Sequence, residues 1–345
     1  MDSDYSIPED VSQIDPENLK QDILQLPFQA AQGYKLAEGA DLSSLDKEVF
    51  YRVLITGMGG SSIAGLVLKD YLQDLGIVLA VNQDYTLPKW VDKKTLVIAS
   101  SYSGNTEETL SSFKEARRRD CKIIAVTVGG KLAELAKQTR IPVIGLPQGF
   151  QPRAALGIQF FTILRLLQKL KLIEPKGIDV DRFREDIKVQ LPGIERNAMA
   201  LSEKLAGKIP IIYTSSQFSS IGYRWKCQFN ENAKTPAFQH YFSELNHNEM
   251  NGFENVFGSF HLIMLRFEDD SRRLQSRMDL TKEIILSKGV PTTEIGIRGT
   301  NILTKMFASI LLGDLTSYFL ALRYRTNPSK VSVVEEFKKR LGPFI

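Results

Sequence analysis

Short apolar runs separated by longer amphipathic stretches make up the first half of the chain. Four such runs predict strands at 53–56, 77–81, 95–99 and 122–126. The runs are almost continuous in hydrophobic residues, as strands buried on both faces require, and each is followed by enough chain for a helix. This alternation predicts a parallel sheet with right-handed crossover helices.

The same pattern restarts in the second half, after a long amphipathic helix predicted at 154–171. Further apolar runs predict strands at 209–216, 261–267 and 292–297. The chain is therefore predicted to be an α/β protein with an internal duplication. Its predicted parts are an N-terminal extension and helix at 1–45, a first domain at 46–172 and a second domain with a C-terminal helix at 178–345.

Composition excludes several classes of protein. The 345 residues include 44 Lys and Arg against 40 Asp and Glu, and a net charge of +4 is too small to indicate a nucleic-acid partner. Two cysteines cannot form a disulfide framework, which favours a reducing cytoplasm. Three histidines nearly exclude a zinc enzyme with a His-rich ligand set.

Membrane insertion and export are not expected either. The most apolar long stretch, 303–322, contains Lys305 and Asp314, so it predicts a buried helix rather than a membrane span. The acidic start of the chain has neither the basic nor the apolar region of a signal peptide. These features predict a cytoplasmic protein without a membrane or nucleic-acid partner.

A glycine-rich loop follows the first predicted strand. Gly59, Gly60 and Ser61 lie where a helix begins, and a helix N-terminus presents free N–H groups to an anion. A dinucleotide fingerprint would need glycine in place of Ser62, with Asp84 as its acidic residue. The loop alone leaves a tight packing turn and an anion site equally open.

A hydroxyl-rich loop follows the third predicted strand. It places Ser101, Ser103 and Thr106 at another helix start, where the helix dipole favours negative charge. One of these hydroxyls could simply be a helix cap, but a cap needs one hydroxyl and this loop has three. No Gly-Lys-Ser/Thr follows, which excludes a nucleoside triphosphate loop. A small phosphate monoester fits better than a dinucleotide.

The two loops together resemble the sugar isomerase (SIS) domain. Four later segments extend the resemblance to the bifunctional phosphoglucose/phosphomannose isomerases over 50–345. These segments are 151–157, 230–234, 243–249 and 333–341. The resemblance implies two SIS-type subdomains, each a mainly parallel sheet flanked by helices. It also implies that the loop residues Gly59, Gly60, Ser61, Ser101, Ser103 and Thr106 bind the substrate phosphate.

The resemblance further implies an enzyme that interconverts glucose 6-phosphate and mannose 6-phosphate with fructose 6-phosphate through a cis-enediolate. Glu231 would be the base and Arg153 would stabilise the enediolate. His247, with Lys338, would open the sugar ring. The resemblance implies no metal and no cofactor, and it implies a homodimer in which the histidine reaches the neighbouring site.

Each assignment has an alternative that the residues leave open. Glu231 alone would be read as solvated surface, and His247 as a structural histidine. Lys338 competes with Lys330 and Lys339. Alternative functions are an aminosugar-phosphate isomerase, a non-catalytic sugar-phosphate-binding SIS protein, and a dinucleotide enzyme that depends on Asp84 and the glycine loop alone.

Overall fold

The computed structural model describes residues 5–342 except 47, 74–75 and 175–179. The described chain forms two compact units. One is Leu24–Glu185, and the other combines 5–23 with 186–342. The predicted boundary between 172 and 178 includes 175–178, which lie outside the described residues. The predicted domain limits therefore stay a prediction.

Unit Leu24–Glu185 is built on a five-stranded parallel sheet with strand order β2-β1-β3-β4-β5. Its strands are β1 (Arg52–Thr56), β2 (Val78–Asn82), β3 (Thr95–Ser100), β4 (Lys122–Thr127) and β5 (Val143–Gly145). Its helices are α2 (Leu26–Glu38), α3 (Gly59–Tyr71), α4 (Glu107–Arg118), α5 (Gly130–Gln138) and α6 (Leu156–Lys169). Every residue of β3 is buried, as the continuous apolar run predicts.

Helix α2 packs directly on α6 in this unit. A Cβ atom at Gly33 would lie 2.5 Å from the carbonyl oxygen of Ile158, so only glycine permits this approach. The Thr162 hydroxyl donates a hydrogen bond of 3.2 Å to the Gly33 carbonyl. The N-terminal extension thus contributes a core helix to the unit that carries the two loops.

The other unit is built on a four-stranded parallel sheet with strand order β7-β6-β8-β9. Its strands are β6 (Ile209–Ser215), β7 (Phe238–Phe242), β8 (Phe260–Phe267) and β9 (Thr292–Ile297). Its helices are α8 (Ser219–Glu231), α9 (Arg272–Ser287), α10 (Ile302–Arg323) and α11 (Ser332–Leu341), while α1 (Leu19–Leu24) and α7 (Val180–Leu205) cross the boundary between the units.

Helices α8 and α10 are joined by a buried ion pair. Asp314 accepts hydrogen bonds from Nε and Nη2 of Arg224 at 2.9 and 2.7 Å, and both side chains are almost fully buried. Beside the ion pair, the Trp225 ring packs against Gly313, where an added Cβ atom would lie only 2.6 Å from the ring. The contact fixes α8, the helix that ends at Glu231.

Helix α10 is long and apolar enough to cross a membrane by composition, but its apolar stretch is entirely buried within the fold. Buried polar residues such as Thr304, Ser309 and Asp314 interrupt the apolar sequence of α10. It is the core helix that the sequence predicts for 303–322.

The predicted fold class is confirmed, because both sheets are parallel and flanked by helices. Two strands were not predicted. β5 has only three residues, and β7 has the sequence Phe-Gln-His-Tyr-Phe, which lacks a continuous apolar run. Both lie at sheet edges, where burial on two faces is not required.

Candidate functional site

The glycine-rich and hydroxyl-rich loops lie side by side at the carboxyl edge of the first sheet. They follow β1 and β3, which are hydrogen-bonded neighbours with Thr56 opposite Ala99. A Cβ atom at Gly57 would lie 2.6 Å from the carbonyl oxygen of Ser100. Glycine at residue 57 therefore allows the glycine-rich loop to contact the end of β3.

The glycine loop leads into the N-terminus of α3. Gly59 has φ of +52°, a conformation that favours glycine. Ser61, in the first turn of α3, is 5% exposed, and its hydroxyl accepts a hydrogen bond from the Tyr102 N–H at 3.2 Å. The Ser61 side chain, for which the resemblance implies phosphate binding, thus connects the first loop to the second.

The hydroxyl loop is held by its own side chains. Ser101 Oγ and Thr106 Oγ1 are 2.9 Å apart, and Ser101 Oγ also accepts from the Gly104 N–H at 3.1 Å. Gly104 has φ of +72°, and a Cβ atom there would lie 1.8 Å from the Gly129 oxygen. Ser103 is exposed at the loop tip. Two of the three predicted hydroxyls thus lie together at the start of α4, and the third lies at the exposed tip of the loop.

Arg153 lies beside the glycine loop. It sits in the short 3-10 helix Pro152–Ala154 and is 5% exposed. A Cβ atom at Gly60 would lie 3.0 Å from Arg153 Cα and 2.8 Å from the Pro152 oxygen. The structure therefore brings Arg153 next to the loops within one unit.

Two side chains that sequence analysis missed hold this arrangement. The Tyr102 hydroxyl donates to the Pro147 oxygen at 2.9 Å and accepts from the Phe150 N–H at 3.2 Å, so it anchors the segment leading to Arg153. Gln29 of α2 donates to the Ala154 oxygen at 2.8 Å. Tyr102 lies inside the recognisable motif, whereas nothing in the sequence connects Gln29 with residue 154.

Glu231 is the last residue of α8 in the other unit. The next residue, Asn232, is fully buried and donates from Nδ2 to the Ser317 hydroxyl at 3.0 Å. The Lys234 ammonium donates to the backbone oxygens of Glu231, at 2.6 Å, and Pro328, at 3.2 Å. The end of α8 is thereby fixed, and the partly exposed Glu231 side chain projects from a rigid backbone.

His247 and Lys338 are both exposed. His247 ends the 3-10 helix Glu244–His247, and Lys338 lies on α11, where no residue is buried. Within the part of the chain that the structure describes, neither side chain has a hydrogen bond or an ion pair. Among the described residues, no hydrogen bond or ion pair joins these two predicted groups to each other within one chain.

The second sheet carries a different group of residues at the position of the hydroxyl loop. β8 occupies the place of β3 in the shared strand order, but it is followed by Glu268 and Asp269. The Lys305 ammonium lies 2.7 Å from Glu268 Oε1 and 2.8 Å from Asp269 Oδ2. An ion cluster therefore takes the place of the hydroxyls in the loop at this position.

Neither a candidate metal site nor the cavity beside α7 involves the predicted residues in the part of the chain that the structure describes. Among the described residues, no group of three or more His, Cys, Asp and Glu side chains could hold a metal ion. A cavity of about 320 Å³ lies between α7 and β9, with Asn197, Lys204 and Glu294 in its wall. It contains none of the residues that the motifs single out.

Two family models match the chain. The SIS domain matches 50–144, and the bacterial phospho-glucose isomerase C-terminal SIS domain matches 194–341. A bifunctional phosphoglucose/phosphomannose isomerase of Caldicellulosiruptor bescii is 42% identical over 93% of this chain and 98% of its own length. A protein of the same name from Thermoplasma acidophilum is 36% identical, over 85% of this chain and 90% of its own.

Other similarities are more distant. A D-glucosamine-6-phosphate 4-epimerase of Sulfolobus acidocaldarius is 37% identical over 60% of this chain and 66% of its own length. The crystal structure of a putative phosphosugar isomerase from Clostridium difficile superposes with a TM-score of 0.72 at 16% identity, covering 95% of this chain and 99% of that one. At that identity, the structural likeness shows the fold alone.

Proposed function

The chain belongs to the family of bifunctional phosphoglucose/phosphomannose isomerases, and on that premise we propose how its residues carry out the reaction. The enzyme is an aldose–ketose isomerase that interconverts glucose 6-phosphate and mannose 6-phosphate with fructose 6-phosphate. The observation that carries this conclusion is the 42% identity to a relative of that name along nearly the whole of both chains.

The phosphate is bound by the two loops at the carboxyl edge of the first sheet. Gly59 and Gly60 let the sugar phosphate approach the backbone, and the N-termini of α3 and α4 supply N–H donors. Ser61, Ser101, Ser103 and Thr106 add hydroxyl donors. The 2.9 Å contact between Ser101 and Thr106 supports this role, because the donors are ordered before the ligand arrives.

Glu231 transfers the proton between C1 and C2. The base must remove the proton from the carbon next to the carbonyl and return it to the other carbon, which gives a cis-enediolate between the two steps. Arg153 stabilises the negative oxygen that develops on this intermediate. The rigid end of α8 supports the assignment of Glu231, since a base needs a fixed position.

Glucose and mannose 6-phosphate differ only at C2, so one base can serve both. The enediolate is the same for the two aldoses once the C2–C3 bond has rotated. Ring opening comes first, and it needs a proton taken from the C1 hydroxyl and one given to the ring oxygen. His247, with Lys338, performs that step.

A cytoplasmic homodimer completes the proposal. His247 is exposed on its own chain and therefore free to enter the site of a second copy. The domain organisation proposed for this enzyme is an N-terminal extension at 1–45 followed by SIS domains at 46–172 and 178–345. Neither a metal nor a cofactor takes part in the proposed steps.

Turnover assays test the proposal. Purified protein is given mannose 6-phosphate, glucose 6-phosphate or glucosamine 6-phosphate in the presence of EDTA, and the products are identified. Fructose 6-phosphate from both neutral sugars is expected. Turnover of glucosamine 6-phosphate alone would instead favour an aminosugar reaction, and turnover of glucose 6-phosphate alone would remove the mannose activity.

The base is tested separately. Glu231→Gln keeps the shape of the side chain but cannot accept the proton, so exchange of the C2 proton with solvent should stop while substrate still binds. Exchange at the wild-type rate would show that Glu231 is not the base. Glu283→Gln, an exposed change on α9, serves as the matched control.

A further inference from the structure

The backbone that carries His247 is anchored, although the His247 side chain is exposed. The segment that connects β7 to β8 contains two short 3-10 helices, Glu244–His247 and Glu249–Glu254. Leu245, two residues before the histidine, is fully buried in an apolar core cluster. This contact fixes where the segment leaves the core, but it does not by itself fix the backbone on the other side of His247.

Glu249, two residues after His247, supplies an anchor on that other side. Its Oε1 accepts a hydrogen bond of 2.7 Å from the hydroxyl of Tyr213 on β6. Tyr213 is fully buried, and burial, together with the neighbouring Glu249 carboxylate, raises the pKa of the Tyr213 hydroxyl. The hydroxyl therefore keeps its proton and remains a donor. The bond joins the segment to an inner strand of the second sheet.

The other carboxylate oxygen of Glu249 faces β7. Glu249 Oε2 lies 3.9 Å from His240 Nε2. His240 Nδ1 accepts a hydrogen bond from the Tyr241 N–H at 2.8 Å, so Nε2 is the protonated nitrogen of the neutral ring. Asn248 Oδ1 accepts from the Glu249 N–H at 2.6 Å, and Asn248 Nδ2 donates to Glu244 at 2.8 Å. Glu249 thus lies between two strands, and the residue before it connects both short helices.

The Tyr213–Glu249 bond controls the position of the histidine backbone. A buried hydroxyl without a partner is unfavourable, so Glu249 is held where it can accept from Tyr213. Only Asn248 separates Glu249 from His247, so a displacement of Glu249 displaces the histidine as well. Proton transfer is sensitive to such displacements, because a catalytic group that moves by about 1 Å loses much of its effect.

We propose that Tyr213 and Glu249 are positioning residues for His247, and that the hydrogen bond between them fixes the direction from which the imidazole reaches the sugar ring. The proposal rests on the proposed function, in which His247 opens that ring. Neither positioning residue contacts the substrate. Loss of the bond therefore slows the step that needs His247 and leaves the phosphate loops unchanged.

Steady-state kinetics test this role. Tyr213→Phe removes the donor and Glu249→Ala removes the acceptor, so each should lower kcat for both aldoses about tenfold or more. Glu249→Gln retains an oxygen that can accept from Tyr213, so its kcat should stay within about twofold of the wild type. Inhibition by inorganic phosphate should be unchanged in all three variants. Tyr51→Phe, an exposed change in the other unit, is the matched control.

Several kinetic results would overturn the positioning role. One is a wild-type kcat in both Tyr213→Phe and Glu249→Ala. Another is a phosphate inhibition constant that rises in step with the loss of kcat, since this would indicate a general loosening of the fold. Equal losses in Glu249→Gln and Glu249→Ala would show that the charge of Glu249, rather than its hydrogen bond, is responsible.

Hydrogen–deuterium exchange measures the anchor without relying on turnover. In Tyr213→Phe and Glu249→Ala, the backbone amides of 244–254 should exchange faster than in the wild type, while those of α8 should be unaffected. Unchanged exchange at 244–254 would overturn the anchor. Faster exchange in a protein whose wild type turns over neither sugar would support the anchor and refute the proposed function, so the two failures are distinguishable.

Discussion

Gly60 and Arg153 are so close that a methyl group at residue 60 would lie 3.0 Å from Arg153 Cα and 2.8 Å from the Pro152 oxygen. Both of these neighbours are backbone atoms and cannot rotate away. Gly60→Ala should therefore displace Arg153 and lower kcat/KM for both aldoses about tenfold or more. Gly145→Ala, where a methyl group meets open space, is the control. A change of less than twofold at Gly60 would argue against a role for this contact.

Removing a single loop hydroxyl should weaken phosphate binding. Ser101→Ala deletes a donor and also breaks the contacts with Thr106 and the Gly104 N–H. Hydrogen bonds to charged groups contribute about 1.5–3 kcal/mol, so KM should rise about tenfold or more for both sugars. Inhibition by inorganic phosphate should weaken in parallel. Ser276→Ala, an exposed change on α9, should leave both constants unchanged.

A shared active site predicts complementation between inactive variants. Glu231→Gln and His247→Ala should each abolish turnover, because each homodimer lacks one group at both sites. Mixed under conditions of verified subunit exchange, the two variants form a heterodimer with one complete site, so activity should return to about a quarter of wild type for random pairing. Failure to regain activity despite exchange would show that His247 acts within its own chain.

Breaking the ion pair between α8 and α10 should destabilise the fold. Asp314→Ala leaves the Arg224 guanidinium buried without its carboxylate, which costs about 3–5 kcal/mol in comparable cases. The double variant Arg224→Met with Asp314→Leu removes both charges and should recover most of that loss. Urea unfolding measures both effects. Equal destabilisation by the single and double variants would contradict this account.

Stability should depend on pH through His261. Burial, with Lys204 and Lys208 nearby, lowers the pKa of His261 from 6.5 to about 4. The unfolded chain then binds a proton that the folded chain does not, so stability falls as the pH decreases from about 6.5 to 4. Lowering the pKa of His261 from 6.5 to about 4 corresponds to a loss of about 3 kcal/mol of stability at most.

His261→Gln provides the comparison for that pH dependence. Glutamine can still hydrogen-bond to the Thr293 hydroxyl, which lies 2.8 Å from His261 Nε2, but it does not titrate. The free energy of unfolding of this variant should vary less than that of the wild type between pH 6.5 and 4. Parallel curves for the two proteins would show that other groups cause the acid sensitivity.

The fold could be predicted from the sequence because parallel strands buried on both faces leave a strong signal. The continuous apolar run at 95–99 became a fully buried strand. The loops could be located for the same reason, since they follow these runs directly. The limits of the prediction lie at sheet edges, where β5 and β7 have no such run.

The supporting contacts of the site could not be predicted. Gln29 reaches the Ala154 oxygen across 125 residues of sequence, and no local pattern marks that pairing. The exposure of His247 could not be predicted either, because its polar neighbours are compatible with both a surface turn and an active site. Roles for Glu231, His247 and Lys338 therefore stay predictions, and the Glu231 and His247 variants test two of them.

The Lys305 cluster after β8 shows that repeating a topology need not repeat its ligand site. In the loop after β8, the Lys305 ammonium and two carboxylates take the place of the hydroxyls that follow β3, so we expect a phosphate at the first sheet alone. Binding should saturate at one sugar phosphate per chain. Substitutions in the loops of the first sheet would then alter turnover, whereas substitutions in the Lys305 cluster would alter folding. Two halves of similar topology would therefore tolerate different substitutions.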